Sequence, residues 1–235
     1  TGGISSGPLP LMSAINEIGR SVMQGGSRRS AIYASLNWLH EDIPLFLKIK
    51  NWSEKIKRLK EEDFNFPAAL DMTNISINYD NKWKYNADRA NLHTFVENCR
   101  QAMMTGEPGF SFNFDEKENE TLRNACTEVT SSDDSDVCNL GSINLGNISS
   151  IAEFEDVVRL GSKFLVCGTL RADLPYDKVY KVREKNRRLG LGLMGIHEWL
   201  LKRGYGYEVT PELHEWLKVY KDESCLLYTS DAADD

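Results

Sequence analysis

The 235-residue sequence predicts an α/β fold, because short apolar strands and amphipathic helices follow one another along most of the chain. A composition of 41% hydrophobic and 27% charged residues is ordinary for a globular protein and argues against a disordered or fibrous chain. No internal repeat or low-complexity linker interrupts the alternation. We therefore expect an α/β sheet or an α/β barrel.

The first half of the chain supplies two helices and two strands. Apolar residues three and four apart between residues 9 and 22 predict a helix, with Pro8 suited to its first turn. Residues 30–38 alternate between apolar and polar side chains and predict a half-buried strand. The pattern then predicts a helix over residues 40–60 and a short strand over residues 74–78.

The second half continues in the same way. Apolar spacing predicts a helix over residues 92–103, which the Gly/Pro-containing segment 106–109 ends. Residues 110–114 predict a strand, and a polar, acidic stretch that contains Cys126 and Cys138 follows it. Further along, the pattern predicts a helix over residues 154–165, a buried strand over residues 189–194 and a helix that opens at Trp199.

Charge and cysteine usage narrow the class of function. A net charge of -7 argues against electrostatically driven binding to nucleic acid. No uninterrupted apolar run is long enough for a membrane helix, and the first residues lack the pattern of a signal peptide. Five scattered cysteines indicate a reducing environment, so we expect a cytoplasmic protein in which any disulfide serves redox chemistry. Cys99 and Cys167 lie on helical patterns, so we expect them to be buried structural thiols.

Three glycine-containing segments allow either a functional or a structural interpretation. Residues 2–8 precede a helix and could hold a phosphate, but they lack the Gly-Lys-Ser/Thr ending of a P-loop. The two arginines of residues 24–29 could contact a phosphate or a base, or the segment could be a solvated turn. For Gly190 and Gly192 we favour tight packing of strand against helix over dinucleotide binding.

Cys126 stands between two polar residues at regular spacing. In an extended segment Asn124, Cys126 and Glu128 would face the same side and form one pocket. A neighbouring carboxylate disfavours a thiolate, so the pattern suits a thiol that loses a hydrogen atom. Cys126 and Cys138 are 12 positions apart, unlike the close pairs of zinc sites, although a loop could join them as a disulfide. Two ordinary, partly buried cysteines remain the alternative.

Five segments in the same order resemble the catalytic subunit of ribonucleotide reductases. The resemblance covers residues 1 to about 220, and each motif is weak alone but the ordered set is specific. The segments are residues 6–8 (SGP), 24–29 (QGGSRR), 71–76 (DMTNIS), 124–145 with NACTE and CNLGSINL at its two ends, and 187–195 (RRLGLGLMG).

The resemblance implies part of a ten-stranded α/β barrel of the ribonucleotide reductase and glycyl-radical type. It implies a thiyl radical on Cys126, a general base at Glu128 and an amide at Asn124 that binds the ribose hydroxyls. Cys138 corresponds to one of two cysteines that supply electrons and become a disulfide, and its partner is expected before residue 1. The implied activity is that of a ribonucleoside-diphosphate reductase type of oxidoreductase, which makes deoxyribonucleotides for DNA synthesis and replication.

The same resemblance implies regulation, a cofactor and partners. Residues 23–31 correspond to the specificity loop, with Gln24 and Arg28 as its base-contacting side chains. The preceding helix is expected at the effector site and the homodimer contact. The short gap between the two cysteines and residues 170–176 (LRADLPY) favour adenosylcobalamin over a radical from a separate metal-containing subunit. Ribonucleotide substrate, deoxynucleotide or ATP effector, and thioredoxin or glutaredoxin as reductant complete the expected partners, and no metal ligands are assigned.

The resemblance also suggests how the chain is divided. We expect residues 1–225 to be an internal part of the catalytic barrel and residues 226–235 to be a non-native tail, the fragment alone being inactive. Two other functions stay open from the sequence. The chain could be a non-catalytic nucleotide-binding α/β module that keeps the motifs, or a thiol–disulfide redox protein that uses Cys126 and Cys138.

Overall fold

The structure, a computed structural model, describes residues 5–24, 28–85, 89–115 and 122–230, with the backbone alone at residues 23, 24, 28, 89–91 and 227–230. The chain forms two units, Thr1–Ser132 and Asp133–Asp235, and each is described by itself. Both units combine helices with parallel strands, which confirms the predicted α/β class. Within the described ranges the sheets are open, and no barrel closes.

Three parallel strands form the sheet of the first unit, in the order β3-β4-β5. They are β3 (Ile32–Asn37), β4 (Thr73–Tyr79) and β5 (Gly109–Phe112), so the predicted strands are confirmed with small shifts of their ends. Parallel neighbours need long crossover connections, and helices provide them here. The register places Asn78 beside both Asn37 and Ser111.

The two faces of this sheet differ in character. Side chains alternate along β4, so Ile75, Ile77 and Tyr79 share one face, where they are at most 2% exposed. Helices cover this apolar face, and its burial stabilises the unit by roughly 1.5–3 kcal/mol for each large side chain. The opposite face carries the buried polar side chains Asn78 and Ser111. The polar face positions the candidate site described below.

The prediction of one continuous helix over residues 40–60 is wrong. The chain forms a short helix and several turns, and a second helix begins after Ser53, whose hydroxyl accepts a hydrogen bond from the Ile56 amide. This N-cap explains the break, because a serine cap satisfies amides that a continuing helix would bond itself. The other elements of the unit are α1 (Pro8–Ser21), β1 (Met23–Gln24), β2 (Arg28–Arg29), α2 (Ile43–Phe46), α3 (Glu54–Glu62), α4 (Asn81–Tyr85), α5 (Arg89–Thr105), β6 (Leu122–Arg123) and β7 (Thr130–Ser131).

Two parallel strands and four helices form the second unit. The strand predicted over residues 189–194 is present, but the prediction that it is buried is wrong, because each of its residues is half-buried or exposed. Its partner, which starts at Cys138, was not predicted. Its large apolar residues Leu140 and Ile143 lie on opposite faces, so no simple alternation marks it. The elements are β8 (Cys138–Asn144), a 3-10 turn (Leu145–Asn147), α6 (Ile151–Arg171), α7 (Asp177–Asn186), β9 (Arg188–Met194), α8 (Ile196–Lys202) and α9 (Pro211–Ser230).

Helix α6 provides much of the core of the second unit. Ser150 caps it by accepting a hydrogen bond of 3.2 Å from the Glu153 amide. Phe154 and Val158 are fully buried beside the strands, whereas Phe164, predicted on the same helix, is 75% exposed. Residues 231–235 of the predicted tail lie outside the described ranges. No helix in the described part of the chain has the length and apolarity needed to cross a membrane.

Candidate active site

A small hairpin in the first unit presents Cys126. Its strands β6 and β7 pair antiparallel, with Arg123 opposite Thr130, and enclose residues 124–129. Within this loop the Thr127 amide donates to the Asn124 carbonyl over 3.0 Å, which makes a turn with Cys126 inside it. Thr127 has a φ of 69°, a left-handed conformation that reverses the chain just after the cysteine. The Cys126 side chain is exposed.

The amide side chain of Asn124 closes this turn. Its Nδ2 donates to Glu128 Oε1 over 2.6 Å, and its Oδ1 accepts from the Val129 amide over 3.1 Å. The expectation that residues 124–128 are extended, with all three side chains on one side, is therefore wrong. A turn brings Asn124 and Glu128 together instead, with Cys126 between them in sequence.

Two hydrogen bonds attach the turn to the polar face of the sheet. Asn74 of β4 donates from Nδ2 to the Ala125 carbonyl over 2.5 Å. Arg123 donates from Nε to the Ser111 hydroxyl over 2.9 Å, and Asn113 donates to the same hydroxyl over 3.1 Å. Ser111 and Asn113 are fully buried, so the arginine is anchored in a desolvated polar network where hydrogen bonds hold geometry well.

Sequence reasoning assigned no role to Asn74 or Arg123. Asn74 belongs to one of the segments that carry the resemblance, but that segment does not indicate a contact with the turn at Cys126. The alternation of polar residues along β4 was the available signal, because Asn74, Ser76 and Asn78 share one face of that strand. Contacts across 51 positions, such as that of Asn74 with Ala125, leave no local pattern.

Cys138 lies at the start of β8 in the second unit, where it is half-buried and pairs with Arg188 of β9. Hydrogen bonds to the carboxylate of Asp136 hold the loop that precedes Cys138. Arg188 donates from Nε to Asp136 Oδ2 over 2.6 Å, and Asn186 donates to the same oxygen over 2.9 Å. A Cβ added at Gly190 would lie 2.5 Å from Leu140 Cδ2 and in ordinary contact with the Cys138 sulfur, at 3.6 Å, so the glycine makes room for Leu140.

The remaining three cysteines are less uniform than expected. Cys99 is half-buried, which agrees with a packing role on α5, but Cys167 on α6 is exposed and not buried as predicted. The prediction failed because helical spacing places Cys167 with Leu160 and Phe164, and that stripe faces outward. Cys225 is also exposed.

The segment expected to be a specificity loop joins α1 to β3. Its two short strands pair antiparallel, with Gln24 opposite Arg28. The side chains of these two predicted base-contacting residues lie outside what the structure describes. Their backbones belong to these two paired strands, residues 23–24 and 28–29, which we call the hairpin.

A buried carboxylate fixes the helix that leads into this hairpin. Asp71 is 2% exposed and accepts from Arg20 of α1 over 2.5 Å and from Lys60 of α3 over 2.7 Å. Asn16, also buried, donates to Asp71 over 3.2 Å. Burial by itself would raise the pKa of Asp71, but the hydrogen bonds from Arg20, Lys60 and Asn16 outweigh it and lower the pKa to about 2. Asp71 is therefore a charged junction between α1, α3 and the start of β4.

Comparison with known proteins decides the family. Residues 1–69 and 77–215 match the family described as ribonucleotide reductase, barrel domain. The chain belongs to this family. The match includes all of the predicted site residues, from Gln24 to Cys138, and so confirms the resemblance seen in the sequence.

Several relatives of this ribonucleotide reductase chain have descriptive names. A Mycobacterium phage D29 protein, named as a candidate adenosylcobalamin-dependent ribonucleoside-triphosphate reductase, is 28% identical over 89% of the chain and 31% of its own length. The Mycobacterium tuberculosis vitamin B12-dependent ribonucleoside-diphosphate reductase is 26% identical over 88% of the chain and 32% of its length. A Synechocystis ribonucleoside-diphosphate reductase subunit alpha is 24% identical over 89% and 34%. The chain thus spans about a third of the length of these relatives.

Proposed function

We propose that the chain is part of a ribonucleotide reductase catalytic subunit and that Cys126 carries the thiyl radical that reduces ribonucleotides to 2′-deoxyribonucleotides. The observation that carries the proposal is the turn in which Asn124 and Glu128 are hydrogen-bonded and Cys126 is exposed. Membership of the family supplies the reaction class, and the turn supplies a thiol, an amide and a carboxylate on one small element.

In the proposed reaction each residue of the turn has one task. The sulfur radical of Cys126 takes the hydrogen atom from the ribose C3′, while Asn124 binds the ribose hydroxyls. Glu128 takes the proton of the 3′-hydroxyl, since a general base must lie within hydrogen-bond reach of that proton. The two electron-donating thiols supply the proton with which the 2′-hydroxyl leaves as water and the hydrogen that takes its place at C2′. Glu128 then returns its proton to the 3′ oxygen, and the Cys126 thiol returns its hydrogen atom to C3′.

Replacement of the 2′-hydroxyl by hydrogen takes two electrons and two protons, which two thiols can supply. We assign one of the two electron-donating thiols to Cys138, at the start of β8, and the second to a cysteine outside this chain. The pair becomes a disulfide as substrate is reduced, and a thioredoxin or glutaredoxin restores the thiols by exchange. The network of Asp136 and Arg188 supports this assignment, because it fixes the backbone that carries Cys138.

We further propose adenosylcobalamin as the radical source. When bound, this cofactor would supply the radical that takes the hydrogen atom of the Cys126 thiol, and the exposure of that side chain fits an external source. Of the three relatives described above, one is named adenosylcobalamin-dependent and one is named vitamin B12-dependent. A radical supplied by a separate metal-containing subunit is the alternative, since the third relative is named only as subunit alpha.

Regulation and assembly follow the same proposal. Residues 23–31 act as a specificity loop, with Gln24 and Arg28 toward the base and a deoxynucleotide or ATP as effector. Helix α1 leaves Leu11, Ile15, Ile18 and Val22 between 42% and 64% exposed along one side. An exposed apolar stripe of this kind supports a homodimer contact through α1.

The remaining strands of a ten-stranded barrel would come from the rest of the subunit. In the described ranges β3 and β5 are the outer strands of their sheet, and open edges of this kind pair readily with further strands. We place residues 1–225 in the barrel and residues 226–235 outside it, which the end of the family match at residue 215 supports. We also propose a cytoplasmic location, because the cysteines are thiols.

The decisive experiment replaces Cys126 in the full-length subunit. Cys126→Ser should abolish ribonucleotide reduction while equilibrium dialysis shows unchanged nucleotide binding. Cys167→Ser is the matched control, since it removes another exposed thiol outside the turn, and it should reduce nucleotide normally. Turnover retained by Cys126→Ser would exclude the thiyl role. Nucleotide binding without reduction by the unmodified subunit would favour the non-catalytic module instead.

A further inference from the structure

Arg20 in α1, just before the hairpin, and Arg29 in β2 both contact one short segment between α3 and β4. Arg20, in the last turn of α1, donates from Nη1 to the Asn65 carbonyl over 3.3 Å. Arg29, at the end of β2, donates from Nη2 to the Asn65 side-chain oxygen over 2.9 Å. One residue outside the hairpin therefore touches the chain on each side of it.

Phe64 adds a second contact to the same stem. The guanidinium carbon of Arg29 lies 3.8 Å from the centre of the Phe64 ring, which is cation–π geometry. Phe64 is nevertheless 65% exposed, so its ring is not part of the apolar core. The exposed ring of Phe64 therefore contacts the Arg29 guanidinium with its face and restricts the positions of that side chain.

The segment that carries Phe64 and Asn65 is itself fixed. Lys60 of α3 donates to the Phe64 carbonyl over 3.0 Å and to the Phe66 carbonyl over 2.8 Å. The same ammonium group is paired with the buried carboxylate of Asp71, which also holds Arg20. We call Phe64 and Asn65 the brace. The Lys60 ammonium group holds the brace segment to the buried carboxylate of Asp71.

We propose that Phe64 and Asn65 are positioning residues of the hairpin and so help to determine which ribonucleotide is selected. This inference depends on the proposed role of residues 23–31 as a specificity loop. Arg29 directly follows Arg28, so holding the Arg29 guanidinium fixes the backbone that carries Arg28. Arg20 contacts the same segment and so holds the end of α1, from which the chain enters the hairpin. Loosening the brace lets the hairpin sample more positions and weakens the discrimination between bases, while the cysteine turn is unchanged.

The test uses the full-length subunit with all four ribonucleotides in competition and one deoxynucleotide effector at a time. Phe64→Leu keeps apolar bulk but removes the ring face, and Asn65→Ala removes the acceptor of Arg29. Each should lower the preference for the favoured substrate about two- to fivefold, the range expected for an exposed cation–π or hydrogen-bond contact. Reduction of a single saturating substrate without effector should be unchanged.

Two further variants separate positioning from general damage. Phe64→Tyr keeps an aromatic face and should restore the preference. Tyr207→Leu removes another exposed aromatic side chain, in the second unit, and should leave the preference as it was. The brace is refuted by full preference in both Phe64→Leu and Asn65→Ala, by an equal loss in Phe64→Tyr, or by a parallel fall in all substrate rates.

Limited trypsin digestion provides a readout that does not need turnover. Cleavage after Arg28 and Arg29 should be severalfold faster in Phe64→Leu and Asn65→Ala than in the parent, while Tyr207→Leu should match the parent. An unmodified subunit that reduces nucleotides without any effector-dependent preference would show that the loop assignment is wrong, and the inference would fall with it. A parent with such a preference and variants that keep it, with parental cleavage rates, would refute the brace alone.

Discussion

Asn124 and Glu128 are joined by a hydrogen bond of 2.6 Å from the amide nitrogen to a carboxylate oxygen, across the turn that exposes Cys126. The contact fixes the direction of the Glu128 carboxylate within a loop that the short strands β6 and β7 enclose. Since Asn124 also accepts a hydrogen bond from the Val129 backbone, one side chain sets both the shape of the turn and the direction of Glu128.

Replacement of Glu128 by glutamine tests the carboxylate as a base. Glu128→Gln keeps the size and the hydrogen bond from Asn124 but cannot accept a proton, so turnover of the full-length subunit should fall by about 10²–10⁴. Substrate affinity should change little. Glu215→Gln, at an exposed position on α9, is the control. A Glu128→Gln subunit with parental turnover would show that another group is the base.

Loss of Asn74 should loosen the cysteine turn without unfolding the sheet. Asn74→Ala removes the donor to the Ala125 carbonyl, and small displacements of a reacting group are costly, so we expect roughly tenfold slower reduction. The free energy of unfolding should drop by about 1 kcal/mol at most, as for one partly exposed hydrogen bond. Asn51→Ala, at an exposed position outside the turn, should have no effect on either quantity. Reduction at the parental rate would mean that Arg123 alone anchors the turn.

The stability of the first unit should depend on pH through Asp71. Its pKa is lowered from 3.8 to about 2, so its contribution of roughly 2 kcal/mol is complete above pH 4 and disappears as the pH falls through 2. Denaturant unfolding followed by circular dichroism between pH 2 and pH 6 measures this dependence.

Asp71→Asn provides the matching variant. At neutral pH it should destabilise the full-length subunit by about 3 kcal/mol, because Arg20 and Lys60 lose their shared partner. The difference between parent and variant should shrink as the pH approaches 2. A difference that stays constant over this range would show that the charge of Asp71 does not contribute.

Gly195, between β9 and α8, should not tolerate alanine. It has a φ of 72°, and an added Cβ would lie 2.4 Å from the Asn144 side-chain oxygen and 3.0 Å from the Gly146 amide. Gly195→Ala should therefore cost about 2 kcal/mol or more, in which the left-handed backbone contributes about 1 kcal/mol. Gly204→Ala separates the two effects, since Gly204 has a φ of 78° and open space around it. Equal losses of stability in the two variants would mean that the clash is relieved.

Local patterns of the sequence were enough for the elements that pack on one side. The alternation of β4 predicted that strand, because burial of one face imposes a period of two that can be counted in the sequence. The apolar spacing predicted α1 as well, although Ile15 and Ile18 at that spacing are exposed. They were not enough for residues 40–60, where a serine cap divides the helix. Strand β8 was missed because its few apolar side chains lie on both faces.

The sequence by itself determined the family and the α/β class, because the motifs that contain Cys126 and Cys138 can be read directly from residue types and their order. Only the tertiary structure decided that Asn124 meets Glu128 through a turn, that Asn74 holds that turn, and that Asn65 contacts both Arg20 and Arg29. Asn124 and Glu128 are close in sequence and meet because the strands of a small hairpin enclose a turn there. For the contacts of Asn74 and Asn65 the physical reason is distance along the chain. Periodicity reports which side of an element is buried, whereas hydrogen bonds between residues tens of positions apart depend on how the sheet and its loops come together.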